Sequence, residues 1–485
     1  MRPTMRFLTD ELAGRIVDEA KTVLDETGVE VQHAGAASLL ADHGAPTDDR
    51  GRVRISAELV ERALDSAPET FDLFDVVGDR THRFDGEAIH FAPASSAVTV
   101  LDRLTGEARP PTTDDYLRYV RVVAGLPGID AQSTAFVPSD VDPVIADAYR
   151  LFLSLLGCDK PVVTGAFSAD GFTLMRDLLV AIRGTEAELA AKPLAVFSCC
   201  PTSPLIWTAD GAANLMDCAR SSIPVEIVPV PLSGFLAPVS LVGTLIQHTA
   251  EVLSGVVLGQ LVRPGAPVMF GGCPAIFDVR YETAPMGAME SMILACAAAE
   301  IGRRLRLPTQ GYIGLSDAKR LDAQAGLETA TGTTLAALGH LDNVSGPGML
   351  DYINCHSTEK LVVDHEICAM ARRLRRGVEP RDDFPSVPLF EELLRDGHLL
   401  IADHTLRHLR DEIAFPGAVI DRAGRSRWRE EGRTSVDARA AAEVDRLVAA
   451  APPSRLPTTS VNDLEERMLA AARGCGMDRL PDRRT

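Results

Sequence analysis

QGYIGLSDAKRLDAQAGLE, residues 310–328, carries three local signals in one short stretch. It opens apolar and aromatic at Gly311, Tyr312 and Ile313, then drops into a polar turn at Ser316, Asp317, Ala318 and Lys319. It resumes at Asp322, with Gln324 and Glu328 at helical spacing. A strand end that feeds a polar loop and then a helix start belongs to a βα unit. Such a junction suits chemistry, because carboxylates, an amide and an ammonium converge on backbone donors that the helix leaves free. The plainer reading is a capping turn with a solvated Lys319, since Asp and Ser are preferred there simply as caps.

The same unit repeats outward from this stretch. Helical patterns at 114–123, 143–156, 169–183, 209–220, 241–261, 286–305 and 322–338 each lead to a short apolar run. The runs lie at 129–137, 161–167, 194–200, 225–230, 267–271, 308–313 and 341–345. Several are apolar at nearly every position, as parallel strands buried on both faces are. They recur roughly every 30–40 residues, the size of one βα unit. An eighth strand is expected at 352–353 or its neighbours, with a helix over 358–374 after it. No GxGxxG or GxxxxGK[ST] follows the early strands, so a dinucleotide or P-loop architecture loses support. The count predicts an α/β fold with a (β/α)8 TIM-type barrel over residues 111–376. A doubly wound open sheet is the alternative.

Residues 1–110 read as an N-terminal helical and β-hairpin region, with Thr9 and Ser56 as helix caps and extended candidates at 71–77, 88–93 and 97–101. After Arg376 the composition turns polar and Pro-punctuated, and residues 377–485 read as a C-terminal helical extension. Its helices are expected near 389–395, within 402–416, and as one charged helix from Asp421. The Ala, Val and Leu spacing of the last suits docking on a partner helix or subunit, so a homo-oligomer is expected.

The 485 residues are 46% hydrophobic, which supports a sizeable core and excludes global disorder. A formal net charge of -19 argues against nucleic acid and against an anionic membrane surface. The nine cysteines are scattered through apolar segments without a CxxC pair, as in a reduced, cytoplasmic chain. The amphipathic N-terminus has no continuous apolar run, so no signal peptide is read, and no stretch of about eighteen or more uncharged apolar residues is free of Gly, Pro and polar breaks, so no membrane span is read.

Function in a barrel lies at the C-terminal ends of the strands. That rule nominates Phe136, Tyr312, Asp317, Lys319, Asn343 and His356, together with Thr164, Ser198, Cys199 and the Gly271-Gly272 pair. Ser198-Cys199-Cys200 has no base at a recognisable spacing and reads better as a small-residue strand end. His404 and His408 have the i, i+4 spacing of zinc ligands, but Thr405 stands where HExxH has its glutamate and no third ligand is evident. No metal site is therefore read.

HTAEVLSGVVLGQLVRPGAPVMFGG at 248–272, followed by SDAKRLDAQAGLE at 316–328, resembles the trimethylamine methyltransferase family, in the branch that lacks pyrrolysine. Segments 23–31, 39–45, 100–118, 357–370 and 403–422 look like family segments too, so the resemblance covers nearly the whole chain. The family's fold is an eightfold (β/α) barrel. The resemblance implies transfer of a methyl group from a methylated amine to the Co(I) corrinoid (cobalamin) of a separate small corrinoid protein, with no cofactor held tightly by this chain. No pyrrolysine stands in LDNVSGPGMLD (341–351), where it would be sought. Members without it act on quaternary amines such as glycine betaine.

With that resemblance, Asp317, Asp322 and Gln324 are the catalytic candidates, shaping the loop above the sixth apolar run and facing substrate or the corrinoid partner. Tyr312 and Phe136 are the expected aromatic contacts for a cation. His356, Asn343 or Lys319 would serve a betaine carboxylate. Two other classes remain: a barrel one-carbon transferase using another acceptor such as tetrahydrofolate, and a non-catalytic quaternary-amine binding protein.

Overall fold

The computed structural model describes residues 2–167 and 169–483. Two parallel sheets form its centre. Their strands, in chain order, are β1 (His90–Ala92), β2 (Gln132–Ser133), β3 (Val162–Thr164), β4 (Ala195–Cys199), β5 (Val225–Ile227), β6 (Val268–Phe270), β7 (Gln310–Tyr312) and β8 (Asn343–Ser345). One sheet runs β6-β5-β4-β3-β2 and the other β7-β8-β1. They touch on both sides. Phe270 and Thr309, the residue before β7, form a parallel bridge. Across the other gap, the Asp130 amide donates to the Phe91 carbonyl at 2.8 Å, and Ala97 bridges Phe136 in parallel.

The strands are short because their central positions need only cross a buried core. VVT in β3, VEI in β5 and VMF in β6 are buried at every position. The helices that follow the strands are α1 (Thr113–Ala124), α2 (Ala146–Gly157), α3 (Ala169–Arg183), α4 (Ala209–Arg220), α5 (Leu241–Val262), α6 (Met289–Arg304), α7 (Ala323–Leu338) and α8 (Thr358–Arg376). Side chains cap several of them: Thr208 accepts from Gly211 N before α4, and Ser240 accepts from Gly243 N before α5.

The 22 residues of α5 are long and apolar enough to cross a membrane, yet 78% of that window is buried inside the protein. Helices Asp10–Thr22 and Ala57–Ser66 pack on it from outside, while the sheet and α4 cover its inner side. A helix covered all round is apolar all round. The hairpin Phe71–Phe74 with Arg80–Phe84 closes the strand-N-terminal end. Its Phe71, Leu73 and Phe84 pack on Val196 of β4 and Met269 of β6. Phe74 N and Val76 N donate to Pro193 and Asp159, just before β4 and β3.

Two expectations need correction. The eighth parallel strand is not at 352–353: Asp351, Tyr352 and Ile353 all have positive φ (49°, 57° and 64°), which no strand tolerates. They form the turn of a short antiparallel pair, Met349–Leu350 with Cys355–His356. The place beside β8 belongs to β1, from the region expected to precede the sheet. The charged helix expected from Asp421 is also broken. Gly432 and Arg433, both at positive φ, separate Arg425–Glu430 from Val436–Ala449. A further helix, Thr458–Gly474, packs on α2 and α3 through buried Leu464, Met468 and Ala472.

Candidate functional site

A cavity of about 470 Å³ opens at the C-terminal ends of the parallel strands. Ser95 beyond β1, Gly165 and Ala166 beyond β3, Ser198 and Cys200 at the end of β4, Val228 beyond β5 and Tyr312 of β7 contribute its wall. Small residues at these strand ends are what leave the space. At Gly165 a Cβ would come 3.2 Å from the Ser198 carbonyl.

Directly beneath lies Glu226, fully buried in the middle of β5. Ser198 Oγ donates to its Oε1 at 2.6 Å, while Oε2 has no hydrogen-bond partner. Burial raises this carboxyl to about 7, against the hydrogen bonding of Ser198 and Asn343, which favours the charged form. Tyr312 stands above it with its hydroxyl 3.3 Å from Ser95 Oγ. Burial, and then the Glu226 charge, push the Tyr312 phenol upward, so it stays a neutral donor. Asn214 on α4 donates to the Ala166 carbonyl and leaves its own Oδ1 unpartnered. Cys200 borders the cavity as an exposed residue, and desolvation against the cavity wall, with Cys199 and Glu226 nearby, pushes its thiol up to about 12. That is the reverse of an activated thiolate.

The 316–328 loop is ordered by its own side chains. Asp317 is buried and accepts from Met286 N at 3.1 Å and Gly287 N at 2.8 Å. Met286 lines the cavity, so Asp317 fixes part of its wall. Burial raises Asp317 to about 6. Glu328 accepts from Ser316 Oγ at 2.6 Å and Asp317 N at 2.8 Å through one oxygen, and from Gln324 Nε2 at 2.9 Å through the other. Asp322 caps α7, accepting from Gln324 N and Ala325 N. Lys319 sits 3.8 Å over the Tyr352 ring and 3.1 Å from Asp351.

The structure therefore divides the nominated residues. Tyr312 lines the cavity and Asn343 lies by the carboxyl under it. Asp317 stands one step behind, and Asp322, Gln324 and Lys319 are on the exposed part of the loop. Phe136 and His356, with ring centroids 5.2 Å apart, line a second cavity of about 230 Å³. Burial lowers His356 to about 3, and neither ring nitrogen has a partner.

The Gly271-Gly272 pair is a close approach. A Cβ on Gly272 would fall 1.9 Å from His248 Nε2 on α5. His404 and His408 pair with Asp383 and Asp382. Among the described residues no group of three or more His, Cys, Asp and Glu could hold a metal ion. Sequence reasoning missed Glu226 and Asn214. The available signal was an acid inside the apolar run IPVEIVPVP, where a charge has no reason to be unless something there uses it.

Relatives agree with this architecture. A family model described as Trimethylamine methyltransferase (MTTB) matches residues 1–473. The trimethylamine methyltransferase MttB of Desulfitobacterium hafniense (strain DSM 10664 / DCB-2) is 29% identical over 456 residues, covering 93% of this chain and 90% of that protein. The glycine betaine methyltransferase of Desulfitobacterium hafniense (strain Y51) is 27% identical over 431 residues, covering 88% and 89%. The solved monomethylamine methyltransferase MtmB of Methanosarcina barkeri has the same α/β fold at a TM-score of 0.53 and 11% identity, covering 96% of this chain and 88% of that one. On the match across nearly its whole length, this chain belongs to the trimethylamine methyltransferase family.

Proposed function

We propose that this chain moves a methyl group from a quaternary, betaine-like amine to the Co(I) corrinoid of a separate small protein. The observation that carries this reading is Glu226, a buried carboxyl with one unpartnered oxygen under a small-molecule cavity. In its charged form it is a buried counter-ion for a quaternary ammonium, beside the exposed Asp210 on the cavity wall. The cavity falls within the roughly 300–1,000 Å³ of small-molecule sites, so it takes the amine while the corrinoid stays on its own protein. The two parallel sheets are taken as one eight-stranded (β/α) barrel. The Phe270–Thr309 bridge and the Asp130–Phe91 hydrogen bond at the two seams support this. The cavity then lies where barrel enzymes hold their active sites.

The Co(I) corrinoid supplies the nucleophile. The chain's own task is to hold the cation and aim one methyl outward, so orientation accounts for much of the rate. A quaternary ammonium leaves as a neutral tertiary amine, and no proton has to reach its nitrogen. The pocket is consistent with that demand, since its Tyr312 phenol and its Cys200 and Cys273 thiols are all pushed upward and held neutral. Glu226 balances the charge, Ser198 and Asn343 steady Glu226, and Tyr312 offers a ring face and a hydroxyl donor. Asp317 positions the Met286 wall. Asp322, Gln324 and Lys319 form the exposed loop that the corrinoid protein would meet.

Purified chain, a panel of quaternary amines with trimethylamine as control, and Co(I) cobalamin test the reading by loss of the Co(I) absorbance. Transfer from a quaternary amine, cut at least tenfold by Glu226→Gln, is expected. Failure of every quaternary amine to bind or react would overturn it.

A further inference from the structure

The charged side chains at the cavity are all of one sign. Glu226 lies buried beneath it, and Asp210, in the first turn of α4, stands exposed on its wall. Among the described residues no lysine, arginine or histidine lines it. Arg150 lies behind the wall, 5.3 Å from the Phe167 ring, and both its terminal nitrogens are engaged. One donates to the Thr134 carbonyl at 3.0 Å and the other to Asp147. The N-terminus of α4 also reaches the cavity. There Thr208 accepts from Gly211 N, and the Asp210 charge offsets the positive end of the helix.

The neutral polar groups of the wall do not make up for a missing cation. Ser198 Oγ donates to Glu226 Oε1 at 2.6 Å, and Asn214 Nδ2 donates to the Ala166 carbonyl at 2.8 Å. Hydroxyls remain at Ser95, Thr208 and Tyr312, and a hydroxyl can give or take a hydrogen bond. A quaternary head therefore meets two carboxylates here. A carboxylate on the far end of the same molecule would meet them too, and no cation would offset its loss of water. A hydroxyl tail suffers neither repulsion nor that desolvation. Discrimination of this kind comes from what the site repels as much as from what it holds.

We propose that this cavity selects amines of net positive charge, with a quaternary head and a neutral hydroxyl tail as in choline, over those with the carboxylate tail of a betaine. This rests on the quaternary-amine reading above and narrows it: the substrate is betaine-like in its head and not in its tail. Asp210 sets the choice of tail, and Glu226 holds the head.

Isothermal calorimetry of the full chain at pH 8 with tetramethylammonium, choline and glycine betaine separates head from tail. Choline is expected to bind at least as tightly as tetramethylammonium, and glycine betaine more weakly than choline by about tenfold or more. Glycine betaine that binds as tightly as choline, or more tightly, overturns the inference and leaves the quaternary-amine reading standing. Binding of none of the three overturns both. Asp210→Lys is expected to shrink the preference for choline over glycine betaine by about fivefold or more, with unchanged circular dichroism. A preference that does not move overturns the role of Asp210. If the lysine variant fails to fold, Asp210→Asn decides by the same direction of change.

Discussion

Glu226 ties stability to binding through one proton. Its carboxyl moves from an ordinary 4.5 to about 7 on folding, because burial disfavours the charge. Between those values the empty folded protein holds a proton that the unfolded chain has released. The group's contribution to stability therefore falls as pH rises from about 4.5 to about 7 and stays low above that. Glu226→Gln removes the buried charge and is expected to raise stability at pH 8 by on the order of 1–3 kcal/mol, with little gain at pH 5, in paired thermal melts. Binding has the opposite sign. A quaternary ammonium favours the carboxylate, so affinity measured by calorimetry should strengthen from pH 6 to pH 8. In the Gln variant it should be weak and flat with pH. Asp317→Ala frees the Met286 and Gly287 amides and is expected to cost about 1–3 kcal/mol. Asp322→Ala removes a cap and costs about 1 kcal/mol. In urea titrations the two should be clearly separable.

At the scale of elements, α7 and α8 are joined through the buried ammonium of Lys360. Lys360 on α8 reaches Asp364 on the same helix and donates to Thr329 Oγ1 of α7 at 2.9 Å. Asp364 also accepts from Gly348 N at 2.7 Å, beyond β8. Lys360→Met leaves that carboxylate buried without its cation, and a loss of about 3–5 kcal/mol in denaturant unfolding is expected. The helices α1–α8 and seven of the parallel strands were legible because each apolar run follows a periodic helix. β1 was not. HFA is three residues long, follows no helix of its own kind, and lies among extended segments that look like hairpins. The strand-end rule found Tyr312 and Asn343 in the cavity region, but it also took in Phe136 and His356. Proximity to a strand end does not say which cavity a side chain meets, and the second cavity gave no sequence signal of its own.

At the scale of the whole molecule, the end of the chain braces its beginning. Arg455 pairs with Asp75 in the loop of the hairpin that closes the strand-N-terminal end, and with Asp159 at the entry to β3. The helix after it covers α2 and α3. A chain ending at residue 456 should lose on the order of 3–6 kcal/mol, because Leu464 and Met468 each contribute about 1.5–3 kcal/mol when buried. A lowered melting temperature with retained helical signal would check it. The pairing of β1 with β8 has another consequence, for synthesis. β1 emerges from the ribosome early, while its neighbour appears only once residue 345 has been made. Until then one edge of β1 is an open template for other nascent chains. A stalled or truncated message therefore yields a sticky product even when most helices are present, and translation to the last βα unit is what ends the exposure.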